Sequence, residues 1–221
     1  MALIDTVQMT HQEAGRQPPV LDLQLASLAY EDEVVLHDIS LTVPRGQTLA
    51  LVGPSGIGKS SLLRIFAGLE QSFAGHCRID GKVAMVFQEP TLLPWRSVRD
   101  NVTIPTGVSG TAADALLADV GLADRADTFP NRLSLGQQRR LALARAFAVH
   151  PDLLLLDEPF VSLDPALTND MMTLFARLRD TYPVTTILVT HVEEEARKLA
   201  DRIVALSGAP ARITSDFMNN A

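Results

Sequence analysis

One cysteine, Cys77, stands in 221 residues, which excludes an internal disulfide framework and suits a reducing compartment. Cys77 itself reads as a small strand residue. Positive charge is also scarce: 19 Lys and Arg face 26 Asp and Glu, for a net charge of −7, and no basic stripe is present. Sequence-independent DNA or RNA binding is therefore not expected as the main task, and Arg139, Arg140 and Arg145 read as a solvated helix face. Long apolar runs are missing, although 47 % of the residues are hydrophobic. None approaches the roughly 18 residues needed to cross a bilayer. The N-terminus lacks a basic region ahead of an apolar core, so no secretory signal is expected. There is no internal repeat. The length fits one domain with a sizeable core.

Against this background one segment carries chemistry. Residues 53–60, Gly53-Pro54-Ser55-Gly56-Ile57-Gly58-Lys59-Ser60, follow the short apolar run Thr48–Val52 and precede Leu62, Leu63, Ile65, Phe66 and Leu69 at helical spacing. Strand, glycine loop, helix is the geometry a phosphate loop needs. Its glycines allow a tight turn that converges N–H groups on phosphate oxygens at a helix N-terminus. Lys59 adds a charge near the β- and γ-phosphates, and the Ser60 hydroxyl is suited to ligate Mg²⁺.

A second element closes the run Leu153–Leu156, which reads as a central parallel strand covered on both faces. Carboxylates at its C-terminal end, Asp157 and Glu158, fall where open α/β sheets bind ligands. Asp157 is expected to hold the Mg²⁺ shell, and Glu158 to orient or deprotonate the attacking water.

Between these elements lies Leu133-Ser134-Leu135-Gly136-Gln137, which resembles the signature motif of ABC-type ATPases. Other elements similar to that family follow in order from about residue 20 to 215. Tyr30 matches an aromatic that stacks on adenine. Gln88 matches the glutamine that contacts Mg²⁺ and the attacking water. Ser162-Leu163-Asp164-Pro165 matches the D-loop, and His191 the switch histidine near the γ-phosphate. The resemblance implies an ATPase with Glu158, His191 and Gln88 as catalytic residues. ATP would be held by Tyr30, by residues 53–61 including Ser61, and by Ser134, Gly136 and Gln137. Mg²⁺ would be held by Ser60, Gln88 and Asp157.

The signature helix N-terminus is itself an anion site. A chain that already has a phosphate loop needs another use for it, and the family's use is a head-to-tail pair. The signature of one copy closes over ATP held by the other. Two positions depart from the family: Leu135 replaces a glycine, which we read as tuning, and Val192 replaces the Asp after the switch histidine, removing a local cap and charge. The stretch from Gly75 to Val83 is also shorter than in most relatives, so a trimmed antiparallel sheet is expected.

The expected fold is α/β: a phosphate-loop NTPase core with a mainly parallel sheet, an N-terminal antiparallel β subdomain and a helical insert carrying the signature. Residues 1–19 read as a loose arm and 20–215 as one ATPase domain, with the insert at about 90–145. Expected core elements are helix 165–180, strand 185–190, helix 193–200 and strand 202–206. The single Trp lies in Leu92-Leu93-Pro94-Trp95, just after Gln88, and an aromatic in such a loop suits a partner contact. That run resembles importer subunits of the nitrate, sulfonate, taurine and bicarbonate type; importers of thiamine precursors and other small solutes share much of it, and the motor itself does not encode direction, which leaves export open. The resemblance implies a peripheral subunit on the cytoplasmic face of the inner membrane, working with permease subunits and an extracytoplasmic solute-binding protein, with no nucleic-acid partner. A soluble ABC ATPase is the alternative; it predicts a coiled-coil insert, a tandem ATPase or a basic face, and none is present. A small-molecule kinase fits the phosphate loop but not the signature helix or the acidic pair.

Overall fold

A computed structural model of the chain describes residues 18–219. Most of the expected N-terminal arm, residues 1–17, lies outside the described residues; Pro18 and Pro19 lead into the first strand.

Alternation builds the first two strands. In β1 (Leu21–Tyr30) Leu21, Leu23, Leu25 and Leu28 are buried, and in β2 (Glu33–Val43) Leu36, Ile39, Leu41 and Val43 are. A half-buried strand shows this period because successive side chains point to opposite faces. β1 pairs antiparallel with β2 and, on its other edge, with β4 (Ala74–Ile79), which keeps six residues.

The nucleotide core obeys a different rule. β3 (Thr48–Val52), β6 (Leu153–Asp157) and β7 (Thr185–Thr190) are buried along almost their whole length because both sides are covered, even where β3 and β7 carry threonines. Leu153 and Leu155 of β6, with Ile187 and Val189 of β7, pack with Leu62, Leu63 and Phe66 of α1 (Lys59–Phe66). Leu154, Leu156 and Leu188 pack on the other side with α4 (Leu135–Ala148) and α5 (Pro165–Thr181). A one-residue slip of β6 exchanges leucine for leucine, so pattern alone sets its register weakly. Asp152, just ahead of the strand, supplies the pin. Its carboxylate accepts from the Lys82 N–H at 2.8 Å and from Arg45 at 3.1 Å.

With β5 (Val83–Val86), β8 (Arg202–Gly208) and β9 (Ala211–Met218), the strands form one nine-stranded sheet in the order β4-β1-β2-β9-β8-β3-β7-β6-β5. Pairings among β3, β5, β6, β7 and β8 are parallel. The expected antiparallel subdomain is thus continuous with the core, joined through the single Leu36–Ala211 pair. β9, antiparallel to β8, adds a strand beyond the expected core elements. Helices α2 (Val98–Thr106) and α3 (Gly110–Asp119) pack on α4 to form a helical layer beyond β5. The last helix, α6 (Glu193–Leu199), follows β7. No helix among the described residues is long and apolar enough to cross a membrane.

Candidate nucleotide site

Three parallel strands deliver the site at their C-terminal ends. β3 ends in the loop 53–58, and two glycines there are obligatory. Gly53 and Gly58 have φ of 153° and 104°, and a Cβ on them would meet Leu206 O at 2.7 Å and Leu36 Cδ2 at 2.6 Å. The left-handed backbone and the close approach both exclude a side chain. Lys59, buried at the start of α1, donates to the carbonyls of Gly53 and Pro54, each at 2.8 Å. An ammonium has three donors, so one remains. Burial lowers the Lys59 pKa, while Glu158 and Asp157 oppose that shift.

β6 contributes the carboxylates. The Ser60 hydroxyl donates to Asp157 Oδ1 at 3.0 Å, joining the phosphate-loop helix to this strand end. Burial holds the Asp157 carboxyl above its usual range; the Ser60 bond and Lys59 pull it down and Glu158 pushes it up. Two oxygen donors this close, on a half-buried anionic group, fit a hard divalent cation. Glu158 adopts φ of 44°, rare for a residue with a side chain, and its N–H donates to Val189 O at 3.0 Å. Its two oxygens face different partners: Oε1 lies 4.0 Å from Lys59 Nζ and Oε2 lies 3.2 Å from His191 Nδ1, beyond the end of β7.

A cavity of about 380 Å³ brings together Tyr30, Ser55, Gly56, Gly58, Lys59, Ser60, Ser61, Gln88 and Glu158. Tyr30 joins it from the end of β1, its hydroxyl 3.4 Å from Ser61 Oγ, and Gln88 from the segment after β5. Gly53, Pro54 and Ile57 form the loop behind the lining.

Ser134, Gly136 and Gln137 do not line this cavity. Ser134 caps α4 in a reciprocal box: its hydroxyl accepts from the Gln137 N–H at 3.3 Å, and Gln137 Oε1 accepts from the Ser134 N–H at 3.0 Å. This box satisfies end groups a helix otherwise leaves open. Gly136 packs closely on α5: a Cβ there would lie 2.9 Å from the Leu167 methyls and push that side chain aside. Leu135 is 42 % exposed.

The arginines of α4 depart from the expected solvated face. Arg139 is only 7 % exposed and donates to the carbonyls of Pro159 and Val161, each at 2.8 Å. Arg145 reaches Pro90 O and Thr91 O at 3.1 and 3.0 Å, and Arg140 reaches Val120 O at 3.2 Å. Burial lowers the pKa of both Arg139 and Arg145. Arg139 and Arg145 therefore tie the signature helix to the segments following Glu158 and Gln88. Their carbonyl partners lie 20 to 55 residues away in sequence, beyond the reach of a periodicity argument.

Trp95 is 68 % exposed. Its loop is rigidly held: the fully buried Asn101 accepts from the Leu93 N–H at 2.7 Å and donates to Leu93 O, Arg96 O and Ser97 O at 2.9–3.2 Å.

Comparison with known proteins places the chain in a family. Residues 36–161 match the ABC transporter family. The chain is 42 % identical over 215 residues to the aliphatic sulfonates import ATP-binding protein SsuB 2 of Burkholderia cenocepacia (strain HI2424), covering 92 % of this chain and 80 % of that protein. It is 48 % identical over 193 residues to SsuB 1 of Rhodococcus jostii (strain RHA1), covering 85 % and 79 %. In fold it is similar to cbiO1 from Clostridium perfringens, part of an ABC transporter complex, with a TM-score of 0.81 and 24 % identity over 92 % of this chain and 89 % of that one.

Proposed function

Because the chain belongs to the ABC transporter family as an ATP-binding import subunit, we propose that it powers uptake of aliphatic sulfonates. In this reading two copies close over two ATP molecules beneath membrane permease subunits. The observation that carries the catalytic assignment is Glu158, whose carboxylate meets Lys59 on one side and His191 on the other. The loop N–H groups and Lys59 bind the phosphates, and Tyr30 stacks on the base. Glu158 accepts a proton from the attacking water, which Gln88 helps to place, and His191 steadies the γ-phosphate. Ser60, Asp157 and Gln88 would hold Mg²⁺, which when bound neutralises phosphate charge.

Two features support the assembly. Ser134, Gly136 and Gln137 form a helix-capped anion site apart from their own chain's cavity, so a second copy placed head to tail gives that site a ligand. The braced Trp95 loop offers an exposed aromatic next to Gln88, suited to a permease segment. Such a subunit lies on the cytoplasmic face of the membrane, and import calls for an extracytoplasmic solute-binding protein. The soluble alternative has no supporting feature. The test is ATP-dependent uptake of an alkanesulfonate by vesicles carrying the chain with its permease. Uptake lost in Trp95→Ala, with ATP binding intact, supports the reading. ATPase activity without sulfonate uptake removes the solute assignment and leaves the motor.

A further inference from the structure

His191 needs a fixed direction to meet Glu158, yet its own helix start lacks the usual means of fixing one. Val192 occupies the N-cap of α6 and offers no side-chain acceptor. In an ordinary capping box the N3 carboxylate reaches back to the N-cap N–H. Here the N3 residue is Glu195, and its carboxylate instead accepts from the Thr190 hydroxyl. That same hydroxyl oxygen accepts from the Val192 N–H at 3.0 Å. The result is a turn from Thr190 to Val192 with His191 at its centre.

Donor and acceptor counts fix the order of this chain. A backbone N–H only donates, so Thr190 Oγ1 is the acceptor at Val192. The hydroxyl's single proton is then free for Glu195. Thr190 is 2 % and Glu195 7 % exposed, and Thr190 is the only hydrogen-bond partner of the Glu195 side chain among the described residues. Removing the carboxylate frees the hydroxyl to rotate, and the turn around His191 loses its lock.

We propose that Thr190 and Glu195 form a relayed capping box that positions His191 toward Glu158, making Glu195 a positioning residue for ATP hydrolysis. Burial raises the Glu195 pKa, and the Thr190 bond and nearby His191 oppose that shift, as expected for a carboxylate retained inside for its contacts. The far side of the turn opens on a second cavity of about 390 Å³ lined by Thr190, His191, Val192, Glu195 and Glu158. The histidine thus has room to turn away when unlocked.

The proposal rests on the catalytic reading of His191, and the experiment separates the two. Turnover, ATP affinity and the imidazole NMR signals of His191 are measured in the full chain for His191→Ala, Glu195→Ala, Glu195→Gln, Thr190→Val and Thr190→Ser. Glu195→Ala and Thr190→Val are expected to lower kcat about tenfold, to leave ATP affinity within about twofold, and to shift the His191 signals. Glu195→Gln and Thr190→Ser keep an acceptor and a hydroxyl respectively, so both should restore turnover and the signals. Unchanged His191 signals in Glu195→Ala and Thr190→Val overturn the relay. So does a loss of kcat shared equally by Glu195→Gln, which marks the carboxylate as needed for more than its acceptor. Full turnover in His191→Ala refutes the reading of His191 itself, and the NMR signals still decide the relay.

Discussion

Glu158 is the carboxylate to which the proposed catalysis assigns the role of base. It adopts a left-handed backbone and divides its oxygens between a phosphate-loop lysine and a histidine on another strand end. Such strain persists where surrounding structure over-determines it, and here the Val189 carbonyl holds the Glu158 N–H. Glu158→Gln keeps the shape and removes the proposed base. We expect it to bind ATP normally and hydrolyse it more slowly by about 100-fold or more, the range for a lost general base; single-turnover kinetics checks this. Normal turnover would remove Glu158 from the chemistry. The residue types of this site were legible in the sequence because phosphate chemistry constrains spacing tightly: eight positions from Gly53 to Ser60, and an acid pair closing a leucine run. The hydrogen bond from Thr190 to Glu195 is not legible in the sequence, since a Thr and a Glu five residues apart look alike whether they are bonded or solvated.

At the scale of elements, the β6 strand and the Trp95 loop each depend on one side chain just outside the element's visible pattern. Asp152 pins the start of β6, and the Lys82 N–H, with Arg45 beside it, holds its carboxyl below the ordinary aspartate value of 3.8. A depressed carboxylate adds stability that is present above that ordinary value and fades as pH falls through the folded one. Asp152→Asn should therefore lower the melting temperature near neutral pH, with the gap to wild type closing below about pH 4. A gap that persists in acid would contradict the role. Asn101 makes four bonds to the backbone of residues 93–97. Asn101→Ala leaves the Leu93 N–H and the Arg96 carbonyl without that partner, at roughly 1–3 kcal/mol each where they stay buried, while Leu93 O keeps the Arg96 N–H and Ser97 O the residue-101 N–H, so the loop should loosen. Trp95 reports directly, as the chain's only Trp: its fluorescence anisotropy is expected to fall, and an unchanged value would show that something else holds the loop. Element types read well where one or two faces are covered, as in β1, β3 and β6. β9 escaped because Arg212, Thr214, Ser215 and Asp216 leave no apolar alternation, and Phe217 and Met218 are exposed. Arg139 was misread because a helix wheel records charge but not the loop carbonyls that fold against it.

For the whole molecule, the decisive feature is a separation. The phosphate loop, Glu158 and Gln88 line one cavity, while Ser134, Gly136 and Gln137 cap a helix outside it. Arg139 and Arg145 connect that helix to the segments after Glu158 and Gln88, so in the proposed pair closure over a partner's nucleotide would be mechanically linked to these groups. The proposed head-to-tail closure would make the nucleotide a contact between subunits, since a ligand that binds only the closed pair shifts the population toward it. The direct test mixes two variants that fail alone. Lys59→Ala lacks the charge for phosphate, and Ser134→Arg blocks the signature face. In a mixed pair one composite site keeps Lys59 from one chain and Ser134 from the other. The shared-site account predicts that ATPase activity, absent from each variant, returns on mixing. Equal inactivity of the mixture, with both variants folded and pairing, would contradict it.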